Sequence, residues 1–128
     1  EVEDNVFNTS GRINSTWGGN IVDMVRFRYI IDAIQRQGLV ENAQNIGRDL
    51  LWKLRKFPAL DNVRGRGLMI AFDLGSPEQR DKMMGLLQEN MLVLKSGEKS
   101  IRLRPSLTFS VDDVDLAISY ISEAICKL

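Results

Sequence analysis

Histidine is absent from this sequence. That removes the imidazole from each role it commonly fills: the general base of a Ser-His-Asp or Cys-His arrangement, a proton shuttle near neutral pH, and a nitrogen ligand for a metal. Cysteine is nearly as scarce. The one thiol, Cys126, excludes an internal disulfide and a thiolate zinc cluster. Its place at the end of the chain predicts burial under a C-terminal helix, and a reducing compartment is the corresponding expectation. Net charge is missing too: 17 basic residues balance 17 acidic ones, so no overall field draws nucleic acid or an anionic membrane. The longest apolar run, Leu68 to Phe72, is far too short to span a bilayer. The N-terminal Glu1-Val2-Glu3-Asp4-Asn5 has the wrong charge for a signal segment. The expectations are a cytoplasmic protein with no metal, no nucleic-acid partner and no membrane. An initiating methionine is also lacking, so the chain reads as a piece of something longer.

What is present is ordinary globular material: 128 residues, 44% of them hydrophobic, enough for one domain with a core. Between Gly19 and Gly38, residues Ile21, Met24, Val25, Phe27, Ile30, Ile31 and Ile34 recur at helical spacing. Their stripe is too broad for one small sheet to cover, so residues 1–35 are expected to form a separate segment and linking helix, and 36–128 a small domain. A second helix follows through Leu39, Ala43, Ile46, Leu50 and Leu54 to the Phe57-Pro58 break. The stretch from Leu60 to Leu74 predicts one buried strand centred on Leu68-Met69-Ile70-Ala71-Phe72. Ser76-Pro77-Glu78-Gln79 opens a third helix running to about Asn90. Met91–Leu94 and Ser100–Leu103 read as a hairpin, and Ser110-Val111-Asp112-Asp113 caps a last helix. The expected fold is α+β, with helices packed on one face of a small, mostly antiparallel sheet and preceded by a long linking helix.

Three stretches can carry chemistry. Asn14-Ser15-Thr16-Trp17-Gly18-Gly19-Asn20 sets two hydroxyls and a glycine pair ahead of a helix. Such material either binds a phosphate or merely caps the helix and turns the chain. In Ile101-Arg102-Leu103-Arg104-Pro105, period two places Arg102 and Arg104 on one side of a strand. A guanidinium there suits a bidentate grip on a carboxylate, and it equally suits a solvated face. Arg64-Gly65-Arg66-Gly67 contains phosphate-binding residue types but no aromatic platform for bases, and reads better as a turn or bulge at a strand entry. The lysines fall on polar helix faces or in a turn, not in the apolar setting that would lower a pKa for Schiff-base work, and no nucleophile or general base stands out.

Taken together and in order, Ser15-Thr16-Trp17-Gly18-Gly19-Asn20, Arg64-Gly65-Arg66-Gly67-Leu68-Met69 and Ile101-Arg102-Leu103-Arg104-Pro105-Ser106-Leu107-Thr108 resemble the C-terminal part of class III aminotransferases, pyridoxal-phosphate enzymes of fold type I. The tryptophan variant Arg12-Ile13-Asn14-Ser15-Thr16-Trp17-Gly18-Gly19-Asn20, followed by Asp23-Met24-Val25-Arg26, resembles the branch that uses L-lysine; ornithine and 4-aminobutyrate branches share the arginine and threonine motifs. The resemblance implies that Thr16, with Ser15 nearby, donates to the cofactor phosphate bound in the other subunit of a homodimer. It implies that Arg102 holds the carboxylate of the 2-oxoglutarate/glutamate pair, and it leaves Arg104 structural. The implied reaction moves the ε-amino group of L-lysine to 2-oxoglutarate, giving glutamate and 2-aminoadipate 6-semialdehyde. The family's Schiff-base lysine, the aspartate facing the pyridine nitrogen and the stacked aromatic lie upstream, so no catalytic residue is expected in this stretch and it should be inactive alone. A non-catalytic α+β interaction domain, docking through the first-helix stripe, is the alternative reading.

Overall fold

The computed structural model describes residues 8–12 and 15–128, which fall into two compact units, 1–37 and 38–128. Four helices and four strands follow one another as α1 (Ile21–Arg36), α2 (Leu39–Leu54), β1 (Asp61–Arg66), β2 (Met69–Asp73), α3 (Pro77–Gln88), β3 (Leu94–Ser96), β4 (Ser100–Leu103) and α4 (Val111–Cys126). No helix among the described residues is long and apolar enough to cross a membrane.

In the first unit, α1 is the expected long helix. Asn20 caps it, its side-chain oxygen accepting from the Val22 amide at 2.9 Å. Ser15 and Thr16 are therefore not the cap that their residue types allowed. No residue of α1 is buried, and Ile21, Phe27 and Tyr29 lie largely in solvent.

The second unit is the helix-on-sheet layer expected from the sequence. Its antiparallel sheet has the order β1-β2-β4-β3. Ile70 and Phe72 of β2 face the same side as Ile101 and Leu103 of β4, all four buried. Against them pack Ile46, Leu50 and Leu54 of α2, Met83 and Leu87 of α3, and Val114, Ile121 and Ala124 of α4. The helix starts are chemically explicit. Ser76 caps α3 from the residue before Pro77, and Ser110 with Asp113 forms a reciprocal capping box on α4.

Three expectations need correction. The stretch 60–74 is a hairpin, because Gly67 takes a left-handed φ of 54° and turns the chain between Arg66 and Met69. β1 escapes the hydrophobic pattern since it lies at the sheet edge and reads DNVRGR, its only apolar residue Val63 half-buried. The last hairpin starts at Leu94 instead of Met91. Cys126 is exposed: the buried stripe of α4 runs through Val114, Ala117, Ile121 and Ala124, and a residue two positions further points to the opposite side.

Candidate functional site

The strand alternation that buries Ile101 and Leu103 turns Arg102 to the sheet face away from the helices. Within the sheet Arg102 lies between two neighbours, paired with Ala71 of β2 on one side and Leu94 of β3 on the other. Arg102 is half-buried, and its partner Ala71 on β2 is a small residue. The Arg102 Nε is buried and has no hydrogen-bond partner, and no ion pair joins it to a carboxylate among the described residues. A buried unpaired N–H is costly in a protein interior. A guanidinium with no partner inside the described residues is left to be satisfied by an acceptor from elsewhere, and a carboxylate with its two oxygens is the matching chemistry.

Arg104 behaves differently. It falls beyond the end of β4, is exposed, and opens the segment Pro105–Phe109. That segment is pinned by Asn42 of α2, whose amide donates to the carbonyls of Leu107 at 2.8 Å and Phe109 at 3.1 Å. Ser106 and Thr108 bond each other through their hydroxyls.

A polar cluster that residue patterns do not single out occupies the same sheet face as Arg102. Asp73, at the end of β2, is buried; its Oδ1 accepts from Arg64 at 2.8 Å and from Ser100 Oγ, and its Oδ2 accepts from Asn62 at 3.0 Å. Arg64 also donates to Ser100 Oγ at 3.0 Å and to the Asn62 carbonyl at 2.9 Å. Asn62 reaches Asp73 because the β1–β2 register slips between Asp61 and Arg64, with Asn62 left-handed at φ 48°. These bonds, led by the one from Ser100, hold the Asp73 carboxyl down to about 2, so it is ionised at neutral pH. The sequence signal was slight: one acid closing an apolar run, two residues along from the row that Arg64 shares with Ala71.

Ser15 and Thr16 belong to the first unit, and Arg102 to the second. The Ser15 carbonyl accepts from the Gly18 amide at 3.1 Å and the Trp17 carbonyl from that of Asn20, so the segment is a tight turn just before α1. Both residues are exposed, and neither hydroxyl is bonded among the described residues. Two free hydroxyls beside a turn, at the positive end of a helix capped by its own Asn20, are a donor set that fits a phosphate. Asn14, the first residue of that stretch, lies outside the described residues.

The chain is 44% identical over 131 residues to the L-lysine-epsilon aminotransferase of Mycobacterium tuberculosis, covering 98% of this chain and 29% of that protein. It is 38% identical over 134 residues to the protein of the same description from Amycolatopsis lactamdurans, covering 99% of this chain and 30% of that one. Among solved structures, lysine aminotransferase from M. tuberculosis superposes with a TM-score of 0.86 at 42% identity, over 97% of this chain and 30% of its own. The chain thus spans less than a third of the length of these relatives. The family model for class-III aminotransferases matches residues 2–125, and the chain belongs to that family.

Proposed function

We propose that this chain is the small-domain portion, with the phosphate-contact segment and linking helix, of an aminotransferase that moves the ε-amino group of L-lysine to 2-oxoglutarate. The observation that carries the reading is Arg102: a half-buried guanidinium on a rigid strand, its Nε orphaned, facing away from the core. It grips the carboxylate beside the reacting carbon of 2-oxoglutarate or glutamate, and so sets the position of that carbon. Thr16, with Ser15 beside it, donates a hydroxyl to the phosphate of pyridoxal phosphate held by the other subunit of a homodimer. Pyridoxal phosphate supplies the electron sink for transamination, and the residues of this chain supply anchoring and orientation.

Likeness to L-lysine-epsilon aminotransferases at up to 44% identity supports lysine as the amino donor. The test is a donor panel with the full-length protein: glutamate formation from 2-oxoglutarate is expected with L-lysine, at a kcat/KM about tenfold or more above that with ornithine or 4-aminobutyrate. Equal or higher efficiency with either competitor would refute the donor assignment. For the phosphate contact, Thr16→Ala in the full-length protein should weaken cofactor retention about tenfold, the loss of one hydrogen bond to a charged group. Equilibrium dialysis reads this directly, and retention equal to wild type would show that Thr16 does not touch the phosphate.

A further inference from the structure

The chain carries no net charge, yet two of its arginines are gathered in one place with nothing to offset them. On β1, Arg64 is matched by its ion pair with Asp73. Arg66, two residues on, and Arg104, just past β4, are exposed, and neither makes a hydrogen bond or ion pair among the described residues. They nevertheless converge. Arg66 is paired with Met69 of β2, and the adjacent Ile70 is paired with Leu103, the residue before Arg104. Arg66, Met69, Arg104 and Ser106 line one shallow pocket of about 400 Å³, and no residue lining it is acidic. Two like charges in one pocket repel each other, so the pair adds nothing to the stability of the fold; what it creates is a field that attracts anions.

That field starts two residues from Arg102. The α-carbons of Arg102 and Arg104 are at most about 7 Å apart. Arg66 stands on β1, two strand spacings or about 10 Å across the sheet from β4. At these separations exposed charges act through water over about one Debye length, without touching the ligand. We propose that Arg66 and Arg104 are steering residues for the acceptor substrate: by charge alone they raise the local concentration of a dianionic 2-oxoacid near Arg102. This rests on the reading of Arg102 as a substrate contact given above, and it holds whatever group faces Arg102 before substrate arrives. The attraction scales with the charge of the substrate, so it favours a 2-oxo dicarboxylate over a 2-oxo monocarboxylate and gives nothing to a cationic amino donor.

The experiment is half-reaction kinetics on the full-length holoenzyme carrying Arg66→Gln/Arg104→Gln, at low and high ionic strength. At about 0.01 M salt, kcat/KM for 2-oxoglutarate should fall about tenfold, the effect of removing two exposed charges roughly 7–12 Å from a dianion in water. Pyruvate carries half the charge, so its kcat/KM should fall only about threefold. L-Lysine is a cation, and its kcat/KM should not fall. At about 0.5 M salt the variant and wild type should agree within about twofold for every substrate. Arg66→Lys/Arg104→Lys keeps both charges and loses the guanidinium forks, and at low salt should stay within about twofold of wild type. The inference is overturned if the Gln variant keeps wild-type kcat/KM for 2-oxoglutarate at low salt, if its loss persists at high salt, or if pyruvate or L-lysine loses as much. A Lys variant as impaired as the Gln variant overturns it too, since that is the mark of a direct grip. An Arg102→Ala variant that handles 2-oxoglutarate normally overturns the underlying reading instead.

Discussion

Arg102→Ala in the full-length protein is expected to raise KM for 2-oxoglutarate about 100-fold, the lower part of the range for truncating one partner of a desolvated, hydrogen-bonded charge pair. The loss should fall on one half of the reaction. In 2-oxoglutarate the carbon that reacts carries a carboxylate, and that is what a guanidinium on β4 can hold. In L-lysine the carbon that reacts is the terminal CH2–NH2, which has no carboxylate beside it, so the lysine half-reaction should keep its kcat/KM. Single-turnover measurements of the two half-reactions separate these cases. Arg102→Lys is an intermediate case: it keeps the charge but replaces a planar fork of donors by a point ammonium, and should recover about tenfold of the loss. Unchanged kinetics with 2-oxoglutarate, or an equal loss in both halves, would remove Arg102 from carboxylate recognition.

What the sequence made legible here follows from how local each signal is. Ser110 and Asp113 bond each other across three residues, so their box is readable as a string and appears as such on α4. Ile101 and Leu103 alternate with Arg102, which is enough to predict that the arginine turns from the core. The Asp73 cluster is the opposite case. Its members come from β1, β2 and β4 and converge only through strand register and the slip at Asn62, neither of which composition or periodicity encodes. β1 was missed for the same reason. A polar edge strand is held by its neighbour and by the Arg64–Asp73 pair, and its own residues carry almost no hydrophobic pattern. For Thr16 the local string allowed a cap or an anion site, and Asn20 as the actual cap leaves the hydroxyl available.

Gly47 is the position where a one-carbon change should cost most. It is a buried residue in the middle of α2, where helix propensity alone favours alanine by about 1 kcal/mol. Packing reverses the sign. A Cβ at Gly47 would sit 2.1 Å from the Gly67 carbonyl oxygen and 2.5 Å from its carbon. The obstacle is backbone, so no rotamer change can relieve it. It is also the left-handed glycine that turns β1 into β2, so the turn cannot swing away without unpairing Arg66 from Met69. Moving α2 instead would lift Ile46 and Leu50 from the core. Gly47→Ala is therefore expected to destabilise the 38–128 unit by about 3 kcal/mol net, at the upper end for overpacking. Its midpoint of thermal unfolding should fall by more than about 10 °C. Gly85→Ala is the matched control: Gly85 lies in α3 with nothing within 4 Å of the added carbon, so there the propensity gain of about 0.5–1 kcal/mol should appear unopposed. Urea unfolding of the two variants with equal m-values would isolate the packing contribution. If Gly47→Ala proved as stable as Gly85→Ala, the close approach of α2 to the β1–β2 turn would not be what holds that helix on the sheet.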